Sequence, residues 1–132
     1  EPRLADLREL QGQARFALAL DESLATLLGE VVPGSVPVRR LVLKPAVLGG
    51  LRRTLSLAQA ATTAGLEVVV TSVIESAAGL WPTLHLAAAI GSPIPQGLAT
   101  AGWLARDLGE TPRPRGGRIA IPATPGSGFR PF

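Results

Sequence analysis

Cysteine, methionine and tyrosine are absent from this chain of 132 residues. Lysine and histidine occur once each, and the aromatics are two tryptophans and three phenylalanines. Without cysteine there is no disulfide and no thiolate metal site, which fits a reducing, cytoplasmic compartment. Without methionine the chain does not begin at a translation start, so it is expected to be a piece of a longer protein. No apolar run approaches the roughly 18 residues that a membrane-crossing helix needs, and nothing at the start reads as a signal peptide. The pI is near 11.0, yet the net charge is only +3. The arginines are scattered, Arg39 with Arg40, Arg52 with Arg53, and a looser group at Arg113, Arg115 and Arg118. No aromatic residues interleave with them, so a nucleic-acid partner is not expected.

Aliphatic residues are plentiful. At 46% hydrophobic content the chain can fill one ordinary domain core, built mainly from Ala, Leu and Val. The pattern alternates strand, loop and helix. Helical spacing runs over residues 4–11, 24–28, 51–64 and about 80–90, with a small helix expected at 103–108. Apolar strands end at Leu20, Leu43 and Val70, and residues 97–100 read as a last short strand or its end. On the helix after Gly49 and Gly50, Leu51, Leu55, Ala58, Ala61 and Thr62 share a face, and Gly65 is placed to stop it. Near-continuous apolar strands alternating with helices indicate a parallel sheet covered on both faces. From Gly109 onward Pro and Gly dominate, with one strand-like stretch at 118–121, and this tail must pack over something else.

Polar residues mark the point where each strand gives way to its loop: Asp21, Lys44, and Thr71 with Ser72. In a β/α barrel these ends line one face, where active sites are built. A barrel needs about 250 residues, so three or four units describe half of one. Lys44 is the only lysine, and Pro45 keeps it extended and ends its strand. Arginine is always charged, whereas a lysine is tuned by its surroundings, so Lys44 is either a centre of proton or charge chemistry or a solvated strand-end cation. Asp21 is likewise either a ligand for a hard cation or an N-cap for the helix that follows, with Ser23 as competitor.

Three strings in order, Leu20-Asp21-Glu22-Ser23, Leu43-Lys44-Pro45 with Gly49-Gly50, and Val70-Thr71-Ser72-Val73-Ile74-Glu75-Ser76 with Gly79-Leu80, resemble the enolase superfamily. Within it they are most similar to the o-succinylbenzoate synthase branch. Residues 97–100 and the Gly117–Pro122 stretch share the resemblance, which covers nearly all of the chain.

The resemblance implies an α/β fold, a partial (β/α) TIM-type barrel forming the carboxyl-terminal half of the family's barrel over residues 1–108. The tail, residues 109–132, would then lie on the barrel or on a capping domain outside this sequence. The implied reaction is Mg²⁺-dependent dehydration of 2-succinyl-6-hydroxy-2,4-cyclohexadiene-1-carboxylate to o-succinylbenzoate, on the way to menaquinone and phylloquinone. In that frame Asp21 falls on the third metal ligand. Lys44 falls on the lysine that stabilises the enediolate, and in racemising relatives that lysine is an acid or base. Thr71, Ser72 and Gly97 fall where the succinyl carboxylate of the small-molecule substrate is held. Val73 departs from a more serine-rich pattern, and Glu75 either orients Lys44 or caps the next helix. His85 reads as structural, and Trp81 and Trp103 as packing residues.

The family's K-x-K lysine and first metal-binding Asp have no counterpart here. Glu1-Pro2 matches the end of an E-E-P or E-Q-P motif, which puts the second ligand just before residue 1. The chain is therefore expected to need an amino-terminal half as its partner. Two rivals stand beside this reading: a related racemase or dipeptide epimerase, and a non-catalytic half-barrel that self-associates through unpaired strand edges.

Overall fold

The computed structural model describes residues 4–27 and 33–132. Helix α1 (Leu4–Gln13) leads to strand β1 (Ala19–Leu20) and helix α2 (Glu22–Leu27), and a short 3-10 turn occupies Pro33–Ser35. Strand β2 (Arg40–Leu43) runs into a single helical turn, α3 (Pro45–Leu48), and then α4 (Leu51–Thr63). Strand β3 (Glu67–Val70) and helix α5 (Ala77–Ile90) complete the regular elements, apart from a 3-10 turn at Thr100–Trp103. The strands form one parallel sheet in the order β1-β2-β3. Its register pairs Leu20 with Leu41, Leu41 with Val68 and Leu43 with Val70.

Strand parity explains which face is covered. Leu41 and Leu43 on β2 and Val68 and Val70 on β3 are buried, while Val42 and Val69 between them are only half-buried. Alternation points the first set at the helices and the second at the other face. Each fully buried aliphatic side chain contributes about 1.5–3 kcal/mol. The core has two parts. One gathers Leu20, Leu24, Leu41, Leu43, Leu48 and Ala58 with their neighbours; the other gathers Val70, Leu80, Leu84, Leu98 and Ala101. Gln11 is buried and joins α1 to the sheet, because its side chain donates to Phe16 O and accepts from Leu18 N and Arg39 N.

Several local expectations change. The buried stripe of α4 is Thr54, Ala58 and Ala61, whereas Leu51 and Thr62 are exposed. Small side chains permit the closest approach to the sheet, and Thr54 satisfies its hydroxyl on Gly50 O at 2.9 Å. Gly65 does leave the helix in the left-handed region, at φ 80°. Helix α5 starts at Ala77, three residues before Leu80. Ser76 makes no side-chain cap there; Asp107, thirty residues away, accepts from Ala77 N at 2.8 Å.

That same carboxylate accepts from Leu108 N and from Thr111 Oγ1. Leu104 is extended, so residues 103–108 form no helix, and Trp103 is 77% exposed rather than packed within this chain. Residues 118–121 make one antiparallel bridge, Arg115 with Arg118, in place of a strand. The residue-28 end of the helix expected over 24–28, and residues 29–32 of the following loop, lie outside the described residues.

The last segment packs on α5. Trp81 Nε1 donates to Glu110 O at 3.0 Å, His85 Nε2 lies 3.1 Å from Ser127 O, and Ile119 covers the second core. The outer edge of β3 is closed by side chains: Ser92 Oγ donates to Val68 O and Gln96 Oε1 accepts from Val70 N. Such plugging blunts an edge that would otherwise recruit another strand.

Candidate functional site

Parity also decides where the polar strand ends point. Asp21 follows buried Leu20, Lys44 follows buried Leu43 and Thr71 follows buried Val70, so all three fall on the face of Val42 and Val69. Ser72, one step further, returns to the helix side and is 5% exposed. The parallel register carries Lys44 beside Thr71, whose N–H donates to Leu43 O at 3.0 Å.

Lys44 Nζ lies 2.6 Å from Asp21 Oδ1 and is also hydrogen-bonded to Glu22 Oε1. The lysine side chain is 18% exposed, Asp21's is 38% exposed and Glu22's is 82% exposed. The close contact with Asp21, then the hydrogen bond to Glu22, hold the ammonium above the ordinary lysine range. The bond from Lys44 holds the Glu22 carboxyl below its ordinary value. Lys44 is thus a fixed cation across the physiological range. Beside it is a cavity of about 210 Å³, walled by Asp21, Glu22, Val42, Lys44, Val47 and Val73.

The end of β3 is neutral. Gly97 N donates to Val70 O at 2.9 Å and Ser72 N donates to Gly97 O at 3.1 Å, a one-residue parallel bridge where the last strand was expected. Thr71 Oγ1 donates to the same carbonyl at 2.8 Å. Thr100 Oγ1 donates to Val73 O at 3.0 Å and lies 2.7 Å from Ser72 Oγ. A hydroxyl has one proton to give, so Ser72 is the donor to Thr100. A Cβ at Gly97 would sit 2.6 Å from Thr71 Oγ1, so glycine is required for this approach.

The structure therefore gathers the expected residues into two groups, Asp21 with Lys44 and Thr71 with Ser72 and Gly97. Glu22 and Thr100 stood in quoted motifs without a role, and only their contacts reveal one. Glu75 Oε1 is buried with no hydrogen-bond partner among the described residues, and burial pushes its carboxyl up. It therefore does not cap α5, a place that Asp107 takes. A larger cavity of about 710 Å³ lies between α5, residues 91–99 and the tail, but its lining is apolar or neutral and carries no titratable group.

Asp21 Oδ1 is buried and receives no well-aligned hydrogen bond, only the ion pair. A carboxylate oxygen of this kind suits a hard cation such as Mg²⁺. Asp21 offers one such oxygen, and among the described residues no three His, Cys, Asp or Glu side chains stand close enough to hold a metal. Glu1 and Pro2, which the sequence motif placed beside another ligand, lie outside the described residues.

A family profile described as Enolase C-terminal domain-like matches residues 1–131. An o-succinylbenzoate synthase of Yersinia pseudotuberculosis serotype O:1b (strain IP 31758) is 39% identical over 98 residues, 73% of this chain and 29% of that protein. The crystal structure of MenC from Desulfotalea psychrophila LSv54 superposes with a TM-score of 0.75 at 24% identity, covering 90% of this chain and 34% of that one. The N-succinyl Arg/Lys racemase from Bacillus cereus ATCC 14579 superposes with a TM-score of 0.82 at 20% identity, covering 98% and 35%. The chain spans about a third of the length of such relatives.

Proposed function

Because this chain belongs to the enolase carboxyl-terminal domain-like family, whose fold is a TIM-type barrel, we propose that it is part of a Mg²⁺-dependent, cytoplasmic o-succinylbenzoate synthase. Residues 1–108 supply the carboxyl-terminal half of the barrel, residues 109–132 lie across it, and an amino-terminal half completes the site. The observation that carries this reading is the ion-paired Asp21 and Lys44 at adjacent strand ends, beside the Thr71, Ser72 and Gly97 turn. The 39% identity to the Yersinia synthase supports it.

Asp21 would hold Mg²⁺ in part, and the bound ion would supply positive charge against the substrate carboxylate. Lys44 acts on the charge that develops as the proton α to that carboxylate passes to a base on the amino-terminal half. Its ammonium is preformed and mostly shielded from solvent, so it stabilises the enediolate without reorganisation. The 6-hydroxyl then takes that proton from the base and departs as water with its C–O bond broken, which gives the aromatic product. Thr71, Ser72 and Gly97 bind the succinyl carboxylate by shaping the turn that meets it. Their hydroxyl protons are committed to Gly97 O and Thr100. The N–H groups of Val73 and Ile74, which have no partner among the described residues, provide the donors.

The second reading is a racemase, favoured by the fold shared with the Bacillus cereus enzyme. One experiment separates them: Lys44→Arg in the barrel-complete protein, assayed for o-succinylbenzoate formation and for racemisation of an N-succinylamino acid. Partial dehydration with no racemisation is the expected result, since charge survives and proton transfer by residue 44 does not. Racemisation by the wild type with no dehydration would replace the synthase with the racemase.

A further inference from the structure

Glu22, the first residue of α2, has no part in the chemistry above, and the geometry points to one. The two carboxylates that face Lys44 Nζ differ in setting. Asp21 is drawn in, with Oδ1 shut away from solvent, whereas Glu22 stands on the first helical turn with its side chain 82% exposed. A carboxylate that coordinates a dication gives up its charge to it, and the dication repels an ammonium held at hydrogen-bond distance. Of the two anions on Lys44, only Glu22 is then left to hold it. Lys44 has a flexible four-carbon stem and no third acceptor among the described residues.

We propose that Glu22 is the positioning residue of Lys44, keeping its ammonium at the mouth of β2 when Asp21 is engaged by the divalent cation. The proposal rests on the reading of Asp21 as a metal ligand. The effect of Glu22 passes through the lysine it holds. The cost of losing it is disorder of a cation that must be in place before the reaction begins.

Lys44 is the only lysine of the chain, so labelling the full 132-residue chain with [ζ-¹⁵N]lysine gives a single side-chain ammonium signal. An ion-paired ammonium keeps that signal, and a free one loses it to exchange with water. Asp21→Asn removes the Asp21 charge from the lysine without adding metal. The expected result is that the signal survives in Asp21→Asn, is lost when Glu22→Gln is added, and returns with Glu22→Asp in the same background. Loss of the signal in Asp21→Asn alone, or its survival in the Asn/Gln double variant, overturns the role of Glu22. Unchanged far-UV circular dichroism excludes unfolding as the cause. The underlying reading has its own test, Mn²⁺ binding followed by electron paramagnetic resonance in the barrel-complete protein. At least a tenfold weakening in Asp21→Asn supports the ligand assignment, and unchanged binding overturns that assignment and the proposal with it.

Discussion

The ends of β1 and β2 carry charge, whereas the end of β3 carries hydroxyls and backbone. At the first, one ammonium is shared by two carboxylates of very different exposure, and the partners are long or half-open side chains. At the second, Ser72 is almost wholly buried and Thr71, Ser72, Gly97, Thr100 and Val73 interlock through hydrogen bonds of 2.7–3.0 Å. A charged cluster can be redistributed by an incoming ion because its members are held by Coulomb attraction, which a stronger charge outcompetes. A neutral network of short hydroxyls has no such freedom, since each proton already has its acceptor and any displaced group is left unsatisfied. The first region is therefore suited to respond to ligands, and the second to give them a fixed shape.

Substitutions can break the contrast. Lys44→Ala is expected to lower kcat by about 10²–10³, the scale for losing one preorganised stabiliser of developing charge. Steady-state assay of the barrel-complete protein checks this; turnover within threefold of wild type would remove Lys44 from the chemistry. Gly97→Ala attacks the rigid region. Its Cβ would meet Thr71 Oγ1 at 2.6 Å and Thr71 Cβ at 3.0 Å, an overpacking that costs about 1–3 kcal/mol in chemical denaturation. Ser72→Ala should cost less, about 0.5–1.5 kcal/mol, because one hydrogen bond to Thr100 goes. A larger loss would mean that the network is cooperative.

The smallest effect belongs to Glu75. Burial raises its carboxyl in the folded state, so folding binds the proton more tightly. The resulting cost is absent below the ordinary glutamate range near pH 4.3 and sets in as pH rises through the folded value. Glu75→Gln is expected to match wild type in stability at low pH and to exceed it at neutral pH. The gain stays under about 1 kcal/mol because the side chain is only partly buried and solvent screens it. Denaturation at the two pH values decides the sign, and equal stability at both would remove the burial penalty.

Much of this was readable in advance where the signal was local. The β-branched and leucine runs marked all three strands, and Gly65 ended α4 as its position implied. Contacts between distant residues were not readable. Asp107 caps α5 from thirty residues away, which starts the helix at Ala77 and keeps residues 103–108 from forming one. Trp103 looks like a core residue by type and is exposed, since nothing in its own segment folds back over it. On α4 the pattern placed Ala58 and Ala61 on the buried face, but it also placed Leu51 there, and close packing took Thr54 instead.

By itself the sequence determined the order of strands and helices and placed Asp21, Lys44 and Thr71 at strand ends, because side-chain alternation has period two and each strand has a distinct terminator. Tertiary structure alone decided which charges meet. The parallel register set β1 against β2 so that Lys44 reaches both Asp21 and Glu22, and it carried Gly97 to Thr71 to close the neutral turn. Pairings across more than twenty residues depend on strand register and on helices packing to one depth, and neither is written in any single stretch of the chain.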